Sequence, residues 1–170
     1  LALLGADVIK VERLGGEDSR FTPLSKEWAD RGFAPSWMAV NANKRILGLD
    51  LKKPESVEIV KRLVQDADVV MENFRPGVMD RLGIGYDELS KINPRLIYCG
   101  VSGFGREGPA ANTPSYDGKI QALTGIMSVT GHPGGDPLRA GFAVCDALTG
   151  MTSAFAISSA LFQRPHTGKG

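Results

Sequence analysis

The sequence predicts an α/β protein, with a Rossmann-like open parallel sheet and flanking helices. Short runs of β-branched and other apolar residues alternate along the chain with segments whose apolar residues recur at helical spacing. This alternation is typical of units in which helical crossovers join parallel strands. The length of 170 residues suits one ordinary domain, and a hydrophobic content of 42% suits a packed core.

The first elements are two strands separated by a long segment. Residues 1–4 resemble the tail of a helix that ends at Gly5, and a strand follows over residues 6–12. Residues 19–45 contain two prolines and no clear periodicity, so we expect a long surface excursion of the kind that often carries function. The next strand is predicted over residues 46–51.

The remaining elements are more regular. Pro54 occupies the first position of a helix whose apolar stripe comprises Val57, Val60, Val64 and Ala67. The other predicted strands are residues 68–72 and 95–101, and the other predicted helices are residues 86–92, 115–129 and 147–162. We expect the last helix to be too short and too rich in Ser and Thr to span a membrane.

Charge and cysteine content limit the functional classes. Twenty basic residues against 19 acidic ones give a net charge of +1, which argues against nucleic acid or an anionic membrane as the main partner. Cys99 and Cys145 lie in apolar runs, as reduced thiols of a cytoplasmic protein do, and no Cys/His cluster suggests a metal site. Without an initiator Met or a signal peptide, residues 1–170 are expected to be part of one larger domain, truncated at both ends.

Asp146 is the only charged residue between Arg139 and Arg164. A carboxylate among apolar residues is costly unless it is paired or hydrogen-bonded. One interpretation makes Asp146 the N-cap of the last helix, and its position alone favours this interpretation. The other makes it a carboxylate nucleophile, which the helix N-terminus would keep ionised.

Two further motifs carry weaker signals. Residues 103–108 match the pattern GxGxxG, but two prolines in the next six residues are incompatible with the helix that a dinucleotide-binding loop must open. We therefore expect a mobile loop here. His132 and Cys145 resemble a base and a nucleophile, but a thiol beside a carboxylate is a poor nucleophile, so we expect a loop histidine and a buried structural cysteine.

Basic residues follow the ends of several predicted strands. Ligands of an open α/β sheet bind at the carboxyl ends of its strands, and a group of cations there suits a polyphosphate. A solvated positive face is an equally good interpretation of these residues alone. They are Arg13, Lys44, Arg45, Lys52, Lys53, Arg75 and Arg81.

Longer motifs favour the interpretation of these basic residues as a polyphosphate-binding group. The chain contains Gly-Ala-Asp-Val-Ile-Lys-Val-Glu-Arg at 5–13, Asn-Lys-Arg at 43–45, Glu-Asn-Phe-Arg-Pro-Gly at 72–77, Ser-Gly-Phe-Gly at 102–105 and Tyr-Asp at 116–117. In this order they resemble the family III CoA-transferases, the CaiB/BaiF and formyl-CoA transferase family, over nearly the whole chain. The resemblance implies the large domain of an interlocked homodimer, with a glycine-rich loop and a small domain outside residues 1–170.

The resemblance also implies roles for individual residues. Asp146 falls on the family's catalytic aspartate. The positions that fall where the family contacts CoA are Arg13, Leu49, Asp50, Leu51, Lys52, Asn73, Phe74, Arg75 and Arg81. Those beside the acyl and pantetheine region are Thr113, Pro114, Ser115 and Tyr116. The resemblance implies no metal and no prosthetic group, because CoA and acyl-CoA are substrates.

The implied reaction moves CoA from an acyl-CoA to a small carboxylic acid through an aspartyl mixed anhydride and an aspartyl-CoA thioester. Backbone N–H groups at the start of the last helix are expected to offer donors to the tetrahedral oxygen. One alternative is an α-methylacyl-CoA racemase, in which a histidine would stand at Tyr116. A tyrosine with a pKa of about 10 is a poor base at neutral pH, which argues against it. The other alternative is a non-catalytic CoA-binding fragment.

Overall fold

Parallel strand pairs organise the chain, as the sequence predicts. The structure is a computed structural model that describes residues 1–170, and it divides into two units, Leu1–Ile59 and Val60–Gly170. Each unit contains one two-stranded parallel sheet with helices beside it. The predicted α/β class is therefore confirmed, with the strands paired two by two.

In the first unit, strand β1 (Val8–Glu12) pairs with strand β2 (Lys44–Gly48). A parallel pair requires a crossover connection, and this one contains helices α1 (Lys26–Asp30) and α2 (Pro35–Asn41). The expectation of an irregular surface excursion over residues 19–45 is therefore wrong. Each of these helices is only one or two turns long, which is too short to produce a recognisable 3.6-residue period.

The core of the first unit is built largely by this crossover. Its buried apolar residues are Ala2, Ala29, Ala34, Trp37 and Leu49. A buried ion pair joins the crossover to β1, because Arg20 donates to both carboxylate oxygens of Glu12. The guanidinium of Arg20 also lies 3.7 Å from the ring centre of Trp37. The Glu12–Arg20 pair and the Trp37 ring thus connect the end of β1 to the crossover.

Helix α3 (Pro54–Asp66) begins at Pro54, as predicted. In the second unit, strand β3 (Val69–Glu72) pairs with strand β4 (Ile97–Gly100). Their crossover contains helix α4 (Val78–Arg81) and helix α5 (Tyr86–Ile92), and α5 has the predicted bounds. The buried apolar residues of this unit are Val64, Met79, Ile84, Leu89, Leu96, Ile97 and Ile157.

Two helices follow β4 after a long loop. Residues 103–116 form no helix, so the GxGxxG segment is a loop, as predicted. Helix α6 (Asp117–Leu123) ends earlier than predicted, and Gly125, with φ of 84°, separates it from a short 3-10 turn, Met127–Val129. A positive φ is readily adopted only by glycine and interrupts a helix.

Helix α7 (Val144–Thr167) is longer than predicted at both ends. Its last turn is anchored by Arg164, which donates to Asp68 at 2.6 Å and to the carbonyl oxygen of Arg95 at 3.2 Å. By length and composition alone, α7 could cross a membrane, so the expectation that this segment is too short is wrong. Length and composition do not distinguish a membrane span from a helix of a soluble protein.

Candidate active site

In the first unit, the predicted CoA-contacting residues lie at the carboxyl ends of both strands. Glu12 is the register partner of Gly48, so the residues that follow, Arg13 and Leu49, leave the sheet at the same edge. The N–H of Leu49 donates to the carbonyl oxygen of Glu12 at 2.9 Å, which continues the pairing by one residue. The sheet therefore brings together Arg13 and the segment Leu49, Asp50, Leu51 and Lys52.

Arg13 is exposed, and its guanidinium contacts the carbonyl oxygen of Gly16 and the carboxylate of Asp18. It borders a cleft of about 450 Å³, also lined by the Gly15–Gly16 turn and the side chain of Arg31. Arg20 also lines this cleft, as do the acidic residues Glu12 and Asp30. An arginine side chain can bind phosphate through fixed, charge-assisted donors.

In the second unit, the block Asn73, Phe74 and Arg75 follows β3. Asn73 donates from its amide to the carbonyl oxygen of Val101 at 2.8 Å, and the N–H of Phe74 donates to the Glu72 carboxylate at 2.7 Å. The block is thereby fixed to the end of β4, while the side chains of Phe74 and Arg75 are exposed. Arg81, at the end of α4, is also exposed.

Glu72 is the centre of a polar cluster beneath this block. Tyr98 donates to it at 3.4 Å, and Arg106 pairs with both Glu72, at 3.9 Å, and Asp80, at 3.3 Å. Burial, followed by the negative charge of Glu72, raises the pKa of Tyr98 to about 12. Tyr98 therefore remains a neutral hydrogen-bond donor, and the cluster is a support for the Asn73–Arg75 block.

The loop that precedes α6 packs against the loop that follows β4. A Cβ atom added to Gly103 would overlap with the side chain of Ser115. Lys119 donates to the carbonyl oxygen of Pro114 at 2.9 Å and lies over the ring of Phe104. The predicted pantetheine segment, Thr113 to Tyr116, is therefore held against the Ser-Gly-Phe-Gly loop, and Tyr116 at its end is 81% exposed.

Asp146 is the third residue of α7, and the N-cap position belongs to Ala143. The N-cap interpretation of Asp146 is therefore wrong, and its side chain is exposed. The cap is supplied by a different element. Asp117, the first residue of α6, accepts the N–H groups of Cys145 at 2.9 Å and Asp146 at 3.4 Å.

The first N–H groups of α7 are all occupied. Those of Cys145 and Asp146 donate to Asp117, that of Val144 donates to Phe142, and that of Ala147 donates to Ala143. The expectation that the start of this helix offers donors to a tetrahedral oxygen is therefore wrong for this arrangement of the backbone.

The environment of Asp146 opposes ionisation of its carboxylate. Burial, followed by the negative charge of Asp117, raises the pKa of Asp146, while the positive charge of Arg139 acts in the opposite direction. Burial and the two carboxylates also raise the pKa of Cys145. The expectation that Cys145 is a poor nucleophile agrees with this direction, although the residue is only half-buried.

A cleft of about 550 Å³ lies beside the helix that carries Asp146. Its walls are the end of β4, from Cys99 to Ser102, and one face of α7, beginning with Leu148 and Thr149. Thr149 is one turn beyond Asp146 along the helix. The end of β4 and the part of α7 that follows its first turn thus border one cavity, and the carboxyl end of a strand is the expected place for a ligand in an α/β unit.

The predicted site residues are divided between the two units. Arg13 and Leu49–Lys52 lie together in the first unit, whereas the Asn73–Arg81 block, the loop before Tyr116 and Asp146 lie in the second. The sequence analysis does not predict a role for Asp117 or for its partners Gln121 and Arg139. The spacing of Asp117 and Gln121 by four residues on a short helix is the signal that links them.

Comparison with known proteins identifies the family. A family model described as CoA-transferase family III matches residues 1–170. The chain is 45% identical to a succinate–glutarate CoA-transferase of Agrobacterium fabrum and 48% identical to an acetyl-CoA:oxalate CoA-transferase of Acetobacter aceti, covering 100% and 98% of this chain but 44% and 42% of those proteins. It spans less than half the length of these curated relatives.

Solved structures give the same result. A crystal structure of a CaiB/BaiF family protein from Brucella suis is similar with a TM-score of 0.91 and 45% sequence identity, over 98% of this chain and 44% of that one. A structure from Mycobacterium tuberculosis is similar with a TM-score of 0.83 and 36% identity, over 99% of this chain and 46% of that one. The chain therefore belongs to CoA-transferase family III.

Proposed function

We propose that the protein containing these residues is an acyl-CoA:carboxylate CoA-transferase in which Asp146 is the nucleophile. The observation that carries the proposal is an exposed carboxylate on the first turn of α7, immediately before the part of the helix that lines the cleft at the end of β4. Relatives at 39–48% identity are named for succinate, glutarate or oxalate. We accordingly propose small dicarboxylic acids as the class of CoA acceptor.

In the first half of the reaction, an oxygen of the Asp146 carboxylate attacks the carbonyl carbon of the acyl-CoA thioester. The C–S bond breaks, CoA leaves as a thiolate, and an aspartyl mixed anhydride remains. The thiolate then attacks the aspartyl carbonyl carbon of the anhydride. This step releases the donor as its carboxylate and leaves CoA bound to Asp146 as a thioester.

In the second half, the carboxylate of the acceptor attacks the aspartyl-CoA thioester and again displaces the thiolate. The thiolate attacks the acceptor's carbonyl carbon in the new anhydride, which gives the product acyl-CoA and restores the Asp146 carboxylate. Each step exchanges one activated carboxyl group for another, so the sequence is balanced in protons and electrons.

The electrostatics of Asp146 suit this role. A carboxylate whose pKa is raised is, in its ionised form, a stronger nucleophile than an ordinary carboxylate. Burial and the negative charge of Asp117 both raise the pKa of Asp146.

In the first unit, we propose CoA contacts for Arg13 and Leu49–Lys52. In the second unit, the residues proposed to contact CoA are Asn73, Phe74, Arg75 and Arg81. Arg13 and Arg75 are exposed cations that follow strand ends, where phosphates are bound in α/β proteins, and Arg81 is exposed at the end of α4. The segment from Thr113 to Tyr116 is proposed to contact pantetheine and the acyl group.

The test is covalent trapping in the full-length protein. Incubation with an acyl-CoA and hydroxylamine should convert Asp146 to its hydroxamate, which mass spectrometry detects on the peptide that contains it. Asp146→Ala should lose the label and lower turnover by at least about 10³-fold, as expected when a covalent nucleophile is removed. Asp136→Ala, a change of the same type in the loop before α7, is the matched control and should retain both.

Unchanged turnover in Asp146→Ala would overturn the proposed role. Exchange of the α-hydrogen of an acyl-CoA in deuterated water, without any acceptor acid, would instead identify a racemase. CoA-dependent thermal stabilisation with neither label nor exchange would identify a CoA-binding protein without catalytic activity.

A further inference from the structure

We propose that Asp117 is a positioning residue, whose buried carboxylate holds the first turn of α7 and thereby places the Asp146 side chain for attack. The inference rests on the proposed role of Asp146 as nucleophile. It adds a second carboxylate to the site, one that contacts the backbone of the nucleophile and is assigned no contact with a substrate.

The first observation is the cap itself. Asp117 is 6% exposed, and its Oδ2 atom accepts the N–H of Cys145 at 2.9 Å and the N–H of Asp146 at 3.4 Å. Ala143, at the N-cap position, has no side-chain oxygen for this task. The helix therefore depends on another element for a hydrogen bond that capping residues normally supply locally.

The second observation is what fixes Asp117. Its Oδ1 atom accepts hydrogen bonds from Gln121 at 2.5 Å and from Arg139 at 3.2 Å. Gln121 is fully buried, accepts the N–H of Ala140 at 2.9 Å and donates to the carbonyl oxygen of Phe142 at 3.3 Å. The two side chains of α6 thus hold the whole approach to α7, from residue 139 to residue 146.

Asp117 also connects two predicted parts of the site. It is adjacent in sequence to Tyr116, which is exposed at the end of the proposed pantetheine segment. Through Asp117, the position of Asp146 is set relative to that segment and not only relative to its own helix. A buried polar network with every member hydrogen-bonded fixes a single geometry, because any other arrangement leaves buried groups unpaired.

The charges of the network give the test a readout that a purely structural role would not move. The charged or titratable groups that face Asp146 are Asp117 on α6, Arg139 on the preceding loop and the Cys145 thiol on its own helix. Loss of the negative charge of Asp117 should lower the pKa of Asp146, whereas loss of the positive charge of Arg139 should raise it.

The experiment compares Asp117→Ala, Asp117→Asn and Arg139→Gln in the full-length protein, with Asp136→Asn as the matched control. Asp117→Ala should lower kcat by about 100-fold, the size of effect produced by a displacement of about 1 Å. The KM for acyl-CoA should change far less, because Asp117 is not among the proposed CoA contacts. The acid limb of the kcat–pH profile should move to lower pH in Asp117→Asn and to higher pH in Arg139→Gln.

Opposite shifts in the two variants would support the proposal, and equal shifts or none would overturn it. If Asp117→Ala fails to fold, as judged by circular dichroism, the pH profiles of the other two variants decide the question. Failure of the proposed function is distinguishable, since the wild-type protein would then show no hydroxamate at Asp146. A labelled wild type with unchanged kcat and pH profile in the Asp117 variants would overturn the positioning role alone.

Discussion

Removal of Arg20 should destabilise the first unit by about 3–5 kcal/mol, because it leaves the buried Glu12 carboxylate without its cation. The side chains of Glu12 and Arg20 are 5% and 16% exposed. Arg20 donates at 2.9 Å from Nε and at 2.6 Å from Nη2. In Arg20→Ala, the carboxylate keeps the N–H of Glu17, at 3.0 Å, and loses the bidentate pair.

Hydrogen exchange on peptides that cover β1 and β2 in the full-length protein measures this loss. A change of about 3–5 kcal/mol corresponds to exchange that is roughly 10²–10⁴-fold faster. Arg45→Ala is the control, since Arg45 forms a similar bidentate pair with Asp7 at 3.0 and 2.6 Å. That pair is 65% and 73% exposed and should contribute about 1 kcal/mol or less.

The pH dependence gives a second check. The hydrogen bond from Arg20 is the main cause that lowers the pKa of Glu12. A lowered pKa in the folded state contributes stability that is present above the unfolded-state pKa and is lost as the pH falls through the folded-state pKa. The difference between wild type and Glu12→Gln should therefore shrink in acid, below a pH of about 4. Equal effects of Arg20→Ala and Arg45→Ala at neutral pH would refute the argument from burial.

Two further predictions concern the second unit. Gly103→Ala should raise the KM for acyl-CoA, because the added Cβ would overlap with Ser115 and displace the proposed pantetheine segment; steady-state kinetics measure this, and an unchanged KM would contradict it. Asp146→Asn should slightly raise the melting temperature at neutral pH, by about 1–2 °C. A raised pKa in the folded state contributes stability in acid that is lost as the pH rises. The difference in melting temperature between wild type and Asp146→Asn should therefore vanish in acid. A lower melting temperature of Asp146→Asn at neutral pH would contradict the reasoning.

The elements that the sequence predicts well are those with strong local signals. Helix α5 has the predicted bounds because Asn93 and Pro94 end it, and α3 begins at Pro54 because proline is favoured at the first helical position. The strands are each found within a few residues of the prediction. The crossover helices α1 and α2 were missed, because tertiary burial of Trp37 and Ala34 stabilises them and not a long amphipathic pattern.

The candidate site shows the same limit. Motifs predict Asp146 and the Asn73–Arg75 block as site residues, because these residues are specific in type and spacing. The cap from Asp117 was not predictable from local rules, since donor and acceptor are 29 residues apart and capping rules consider only neighbouring residues. For the same reason, local rules predict Asp146 as the cap of α7, whereas Asp117 accepts the N–H groups of its first turn from outside the helix.

Helix α7 is clamped at its far end, where Arg164 contacts Asp68 and the carbonyl oxygen of Arg95, just before the two strands of the second unit begin. Eighteen residues separate Asp146 from Arg164, which is about 27 Å at 1.5 Å per residue. Asp117 holds the first turn of the same helix, so α7 is fixed at both ends. Loss of the Arg164 contacts would free the far end, and a tilt of about 5° would then displace one end of the helix relative to the other by roughly 2 Å. Under the proposed role of Asp146, a substitution of Arg164 is therefore expected to lower the reaction rate without altering any residue that touches a substrate.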